Sequence, residues 1–120
     1  MRIRKLKDIN EIIANDSTIL REILHPDRDY QFDGRYSLAH AKLEVGKESD
    51  KHILKSDEVY YILSGQGEMM INDKTAIVEA GDTIEIPPGA VQSIKNIGQT
   101  ALDFLCIVDP AWQTEDEEIL

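Results

Sequence analysis

The feature that most constrains the fold is a series of short segments that alternate apolar and polar residues between glycine, proline and asparagine turns. Such segments occupy residues 36–45, 68–72, 75–79, 83–86 and 91–96. Alternation with a period of two places successive side chains on opposite faces of a strand. Short strands divided by turn residues are typical of antiparallel β-sandwiches and barrels. The sequence therefore predicts an all-β domain.

Two stretches carry the polar residues that could form a site. The first, residues 46–67, contains His52 and Glu58 ahead of an apolar run. The second, residues 81–96, has a Pro-Pro-Gly corner between two strand patterns and includes Gln92. Alternation within these strands directs Glu58 and Gln92 toward the interior.

Together the two stretches resemble the two conserved motifs of the cupin superfamily of small β-barrels. Leu54 stands at the second histidine position of the first motif, and Gln92 stands at the histidine position of the second. The resemblance covers about residues 36–108 and implies a cupin barrel, which is a double-stranded β-helix or jelly roll. The residues in register are Gly46, His52, Glu58 and Gly65 in the first motif, and Gly81, Pro87, Gly89 and Asn96 in the second.

The resemblance also implies a metal site, because metal-bearing cupins hold one ion with three histidines and one glutamate. Carried over by position, the ligands would be His52, Glu58 and Gln92, with no donor from Leu54. An open, oxygen-rich set suits Mn²⁺ or Fe²⁺ better than a closed structural zinc site. The implied cofactor is one divalent ion (Mn, Fe, Ni or Zn), bound weakly or not at all. In the metal-free alternative, the same three side chains hydrogen-bond to one another.

Three further side chains are candidates for contact with a ligand. Tyr60 shares the face of Glu58, and Leu54 would make one wall of the pocket apolar. His40 would contribute only if its face of the strand turned inward, and Lys42 would then point the same way. We predict Tyr60, Leu54 and His40 as ligand-binding residues, while no residue type or spacing identifies a catalytic group.

The N-terminal region carries a helix signal. Asp8-Ile9-Asn10-Glu11 resembles a capping box, which predicts a short helix over about residues 9–15. Residues 18–24 fit either a helical turn or a strand, and periodicity leaves both open.

The chain length of 120 residues is that of one domain. We divide it into an N-terminal segment with a short helix (1–35), a cupin barrel (36–109) and an acidic C-terminal tail (110–120). The last strand pattern, residues 102–108, is apolar on both faces, whereas a barrel wall facing water needs only one apolar face. An isologous homodimer is the commonest way to cover such a surface.

The net charge of −10 excludes two classes of partner. Nucleic acid requires a cationic face, and an anionic membrane surface repels an acidic protein. No run approaches the ~20 apolar residues of a membrane span, and the basic start lacks the apolar core of a signal peptide. A single cysteine, Cys106, cannot form an internal disulfide. We therefore expect a cytoplasmic protein.

The sequence favours a small stand-alone cupin that binds a small polar metabolite in its barrel. The chain looks like the single-domain cupins described as mannose-6-phosphate isomerase-like, although a likeness of fold supplies no substrate. The alternative is a metal-dependent enzyme of isomerase or dioxygenase type, in which the ion would act as a Lewis acid.

Overall fold

The computed structural model describes the whole chain, residues 1–120, and it is nearly all β. Its only helical pieces are two 3₁₀ turns, at Leu6–Asp8 and Thr114–Asp116. The strands are β1 (Ile12–Ile13), β2 (Ile19–Leu24), β3 (Ser37–Leu43), β4 (His52–Leu54), β5 (Asp57–Ser64), β6 (Gln66–Ile71), β7 (Lys74–Glu79), β8 (Thr83–Ile86), β9 (Val91–Asn96), β10 (Leu102–Asp109) and β11 (Glu117–Ile119).

The strands form two antiparallel sheets that enclose one core. The first sheet has the order β1-β2-β3-β10-β5-β8, and the second has the order β11-β4-β9-β6-β7. Neighbouring strands are often far apart in sequence, as in the pairing of β10 with β3 and β5. This is the jelly-roll arrangement; it confirms the all-β domain predicted from the alternating pattern and the cupin barrel implied by the two motifs.

Alternation along the central strands decides which side chains form the core. Tyr60 and Ile62 of β5, Ile94 of β9 and Phe104 of β10 all point inward and are buried. The rings of Tyr60 and Phe104 pack with their centroids 4.7 Å apart. Burial of this apolar surface supplies the main favourable free energy of folding.

One glycine and one asparagine are required by the turns that they occupy. Gly65 joins β5 to β6 with a φ of +90°, and a Cβ atom there would lie 2.6 Å from the carbonyl oxygen of Ala101. Asn72, in the turn between β6 and β7, has a φ of 56°. Asparagine tolerates this left-handed conformation better than most residues do.

The helix predicted over residues 9–15 is wrong. The structure has only the 3₁₀ turn at Leu6–Asp8, which has no side-chain cap, so the apparent capping box is not formed. Ile12–Ile13 instead form β1, which pairs with β2. A helix that short is marginal in water, whereas β-branched residues fit a paired strand well. Residues 19–24, left open by periodicity, are likewise a strand that pairs with β3.

Both ends of the chain add strands to the sheets. β2 extends the first sheet beside β3, and β11 extends the second beside β4, where Ile119 lies opposite His52. Residues outside the predicted barrel therefore approach the strand that carries the first motif's histidine. The structure contains no helix long and apolar enough to cross a membrane.

Candidate functional site

A cavity of about 290 Å³ lies between the barrel strands and the two terminal segments. Its barrel wall comes from β3, β4, β5 and β10, and the remaining wall comes from residues before β3 and after β10. The barrel residues are Ser37, Ala39, His52, Glu58, Tyr60, Phe104, Cys106 and Val108; the terminal residues are Ile12, Ile13, Ala14, Asn15, Asp16, Thr18, Leu20, Glu22, Arg28, Trp112 and Glu117.

Glu58, Gln92 and Tyr60 form a buried hydrogen-bonded chain. The Tyr60 hydroxyl donates to Gln92 Oε1 at 3.1 Å, and Gln92 Nε2 donates to Glu58 Oε1 at 2.8 Å. The Gln92 side chain therefore has both ends of its amide engaged. The second carboxyl oxygen of Glu58 has no hydrogen-bond partner, although Glu58 is only 8% exposed.

Burial controls the protonation of Glu58. Burial raises the pKa of this carboxyl to about 8, and the hydrogen bond from Gln92 offsets only part of that increase. The nearby charges of Asp16 and Glu117 raise the pKa further. Near neutral pH the neutral acid is therefore the favoured form of Glu58. Burial also raises the pKa values of Tyr60 and Cys106, so both remain protonated.

His52 is 2% exposed and presents one ring nitrogen to the cavity. Its Nδ1 lies 2.7 Å from the carbonyl oxygen of Asp50. Because a carbonyl only accepts, this contact makes Nδ1 the protonated nitrogen. In the neutral ring Nε2 is then an acceptor. The nearest acid is Asp16, whose Oδ2 lies 3.8 Å from Nε2, too far for a hydrogen bond.

Asp16 is held in place by the turn between β1 and β2. Its Oδ1 accepts from the backbone amide of Thr18 at 3.1 Å and from the Thr18 hydroxyl at 2.7 Å. The amide of Asp50 donates to the carbonyl of Asp16 at 2.7 Å, and Ser17 Oγ donates to Asp50 Oδ2 at 2.6 Å. These bonds fasten the turn to the loop before β4 and leave Asp16 Oδ2 directed toward His52.

Glu117, at the start of β11, brings a third carboxyl group to the same place. Burial raises its pKa, the neighbouring His52 lowers it, and the charge of Asp16 raises it. Asp16 and Glu117 were both missed by the sequence reasoning. The polar turn around Asp16 was a usable turn signal, but nothing local to Glu117 distinguishes it from the rest of an acidic run.

The structure brings some of the predicted site residues together and separates others. His52, Glu58 and Tyr60 line the same cavity of about 290 Å³, while Gln92 lies outside the lining and donates a hydrogen bond to Glu58. Leu54 is buried on the same strand as His52 but does not line the cavity. His40 lines a separate cavity of about 140 Å³, and its Nε2 is 3.5 Å from Asp103.

The side chains present do not fit a firmly held metal ion. The protein has no group of three or more His, Cys, Asp or Glu side chains arranged to hold one. The Gln92 amide is engaged by Glu58 and Tyr60, and Leu54 offers no donor atom. Divalent ions of this class need several converging N or O ligands. Of the ligands implied by the motifs only His52 and Glu58 remain, and the neighbouring carboxyl groups of Asp16 and Glu117 do not complete a group of three that could hold an ion.

Comparison with known sequences identifies both a family and relatives. Residues 39–108 match the Cupin_2 family model, described as a cupin domain. The uncharacterized protein MJ1618 of Methanocaldococcus jannaschii is 42% identical over 115 residues, which is 93% of this chain and 89% of that protein. An oxalate-binding protein of Thermotoga maritima is 37% identical over 71 residues, which is 58% of this chain and 59% of that protein.

Solved structures agree with the fold. The crystal structure of a predicted oxalate decarboxylase from Thermotoga maritima has a TM-score of 0.78 at 24% identity, covering 89% of this chain and 97% of that one. Pac13, a nucleoside dehydratase, has a TM-score of 0.79 at 19% identity, covering 100% of this chain and 91% of that one. At these identities the likeness is one of fold. Because the family model covers more than half of the chain and MJ1618 matches nearly all of it, the chain belongs to the Cupin_2 family of cupin-domain proteins.

Proposed function

We propose that the protein binds a small molecule in the cavity beside His52 and Glu58. The observation that carries the proposal is a cavity of about 290 Å³ with two polar atoms that lack hydrogen-bond partners, one on each of these buried residues. The only fully buried side-chain nitrogen or oxygen without a partner is Arg21 Nε, so the free atoms of His52 and Glu58 are open to the cavity and available to a ligand. A concave, largely apolar pocket with a few convergent polar groups is the usual form of a small-molecule site.

Ligand binding is tested by filling the cavity. Ala39 lines it, so Ala39→Leu should remove volume from the site and abolish the binding of any small molecule that co-purifies with the parent. Ala76→Leu makes the same change on the exposed face of β7 and is the matched control. Native mass spectrometry of the three proteins measures bound mass. A bound compound retained by Ala39→Leu would place the binding site elsewhere.

For a divalent metal, we infer weak and exchangeable binding at most, through His52 and Glu58. Two protein ligands leave most coordination positions to water, which gives a low affinity. Elemental analysis of the parent and of His52→Ala measures this, and any ion present should be lost in the variant. A stoichiometric ion that depends on His52 would move the proposal toward metal-dependent isomerase or dioxygenase chemistry.

We also propose a homodimer formed through the outer face of the first sheet. Tyr61 of β5 lies opposite Leu105 of β10 and is 41% exposed, and Ile107 is 38% exposed. An isologous contact would cover this apolar strip. Light scattering should then give about twice the 13.6 kDa chain mass, and Tyr61→Glu should return the particle to the mass of one chain. A parent at 13.6 kDa contradicts the dimer.

The location that we propose is the cytoplasm. The single cysteine, Cys106, is buried and unpaired, which suits a reducing compartment. Fractionation of the native cells tests this proposal, and recovery of the protein outside the cytoplasmic fraction contradicts it.

A further inference from the structure

The polar groups that line the cavity are mostly hydrogen-bond acceptors. Asp16 and Glu117 contribute carboxyl groups and His52 contributes Nε2, whereas the neutral acid form of Glu58 can either donate or accept. The one cationic side chain in the lining, Arg28, is engaged by Glu22 through two bonds of 2.6 and 3.0 Å. The cavity therefore contains no free cation to hold an anionic ligand.

Two of these acceptors are close enough to share one donor group. His52 Nε2 and Asp16 Oδ2 are 3.8 Å apart. A nitrogen placed about 2.9 Å from each atom would be within hydrogen-bond distance of both. Glu58 has one unpartnered oxygen in the lining of the same cavity. A group with several N–H donors on one atom, such as an ammonium group, can donate to both His52 Nε2 and Asp16 Oδ2, whereas a hydroxyl group has only one hydrogen to donate.

The remaining wall suits the hydrocarbon part of a cation. Tyr60, Phe104 and Trp112 line the cavity together with Leu20 and Val108. Aromatic rings attract cations through their electron-rich faces and also provide apolar contact. Carboxylates beside aromatic rings are therefore a suitable environment for an organic cation.

The electrostatic field of the whole protein also favours a cationic ligand. With a net charge of −10, the protein attracts cations and repels anions over its surface. A dicarboxylate would bring two negative charges into a cavity that already contains three carboxyl groups. The oxalate named for one relative is therefore poorly matched to these side chains alone.

We propose that the ligand is a small organic amine, bound as its ammonium ion with its N–H groups directed to Asp16 and His52 and its hydrocarbon part against the aromatic wall. This inference rests on the proposed function, since it names the chemical class of the molecule that the cavity takes. The site combines groups from the first motif, from β10 and from the two terminal segments.

The experiment compares four probes by calorimetric titration at neutral pH: isopentylamine, isopentyl alcohol, isovalerate and oxalate. The first three have the same branched hydrocarbon part and differ in their charged or polar group. We expect the amine to bind at least about tenfold more tightly than the alcohol, with no measurable binding of isovalerate or oxalate.

Variants locate the effect in the cavity. Asp16→Asn keeps the side-chain size and an oxygen for Thr18, and it should weaken amine binding about tenfold while leaving the alcohol unchanged. Asp73→Asn removes the same charge from an exposed turn and should leave amine affinity within about twofold, since exposed, distant charges are screened. If Asp16→Asn does not fold, Glu117→Gln removes a second cavity charge and should also weaken the amine selectively.

The outcomes separate the two proposals. Isovalerate or oxalate binding as tightly as the amine would overturn the amine class but leave the cavity as a binding site. Equal loss of amine affinity in Asp16→Asn and Asp73→Asn would also overturn it, because the preference would come from the overall charge. If none of the four probes binds and no molecule co-purifies, both proposals fail.

Discussion

The two halves of the barrel interior are built by the same strands but are filled differently. Along β5, Glu58 lies in the cavity half, Tyr60 lies between the halves, and Ile62 lies in the apolar half. Around Ile62 the barrel is filled by its own side chains, including Ile94 and Leu102. Around Glu58 it is not, and residues from the two ends of the chain complete the wall.

The difference teaches where stability and binding reside in this protein. The apolar half contributes favourable free energy through buried hydrocarbon. The cavity half contains Glu58, a buried acid with a raised pKa, whose desolvation is only partly offset by the hydrogen bond from Gln92. Functional sites commonly concentrate such perturbed groups.

Truncation in the apolar half should give the largest effect. Ile62 is completely buried, so Ile62→Ala should lower the free energy of unfolding by about 2–5 kcal/mol. Leu20→Ala is the matched change on the partly buried cavity wall and should cost less than half as much. Chemical denaturation measures both values. Equal losses would mean that the two halves contribute alike to stability.

Restoring histidines at the two altered motif positions should lower the stability of the metal-free protein and raise its metal affinity. Leu54→His combined with Gln92→His places two imidazoles beside His52 and Glu58, and imidazole is a good donor to Mn²⁺, Fe²⁺ and Zn²⁺. We expect metal affinity to rise at least about tenfold. The metal-free variant should lose about 2 kcal/mol, because Gln92 no longer bonds to Glu58.

Calorimetric titration with several metals measures the affinity, and thermal melting with and without ions measures the stability. Stability of the double variant should increase with ion concentration. Equal metal affinity in the parent and the double variant would mean that the four positions do not converge on one point.

Glu58→Gln should make the free energy of unfolding less dependent on pH. The folded pKa of about 8 exceeds the ordinary value of 4.5. The stability associated with protonated Glu58 is therefore fully present below the unfolded pKa and is lost as pH rises through about 8. A pKa difference of one corresponds to about 1.4 kcal/mol, so the variant should be at least that much more stable than the parent near pH 8.

Denaturation at a series of pH values checks this. The parent and Glu58→Gln should converge toward the acidic end of the window, where the carboxyl is protonated in both the folded and unfolded states. Parallel curves from acidic to alkaline pH would show that Glu58 is not a source of the pH dependence.

The smallest effect is expected at the contact that fastens the turn before β2. Ser17 is exposed and donates to Asp50, so Ser17→Ala should cost about 0.5–1 kcal/mol of stability. Because this contact supports Asp16, ligand affinity should fall more than stability. Thermal melting and titration of the same sample measure the two quantities, and a change in stability alone would separate the turn from the site.

The sequence by itself determined the barrel and the inward direction of its motif residues. The predicted bounds of β8 and β9 are those observed, and Glu58 and Gln92 face inward as alternation required. These features depend on period-two patterning and on turn residues, which act between near neighbours in the chain. The turn at Gly65, a motif glycine with a positive φ, is likewise determined by its near neighbours in the chain.

The tertiary structure alone decided what surrounds Glu58 and His52. Ile12 and Ile13 became a strand because β2 was available to pair with them, a contact that outweighs a local helix signal. His25, in the loop after β2, is fully buried, with its Nε2 2.7 Å from the carbonyl oxygen of Trp112. Asp16 and Glu117 meet at His52 only after distant segments pair, and no pattern of near neighbours in the chain encodes such a meeting.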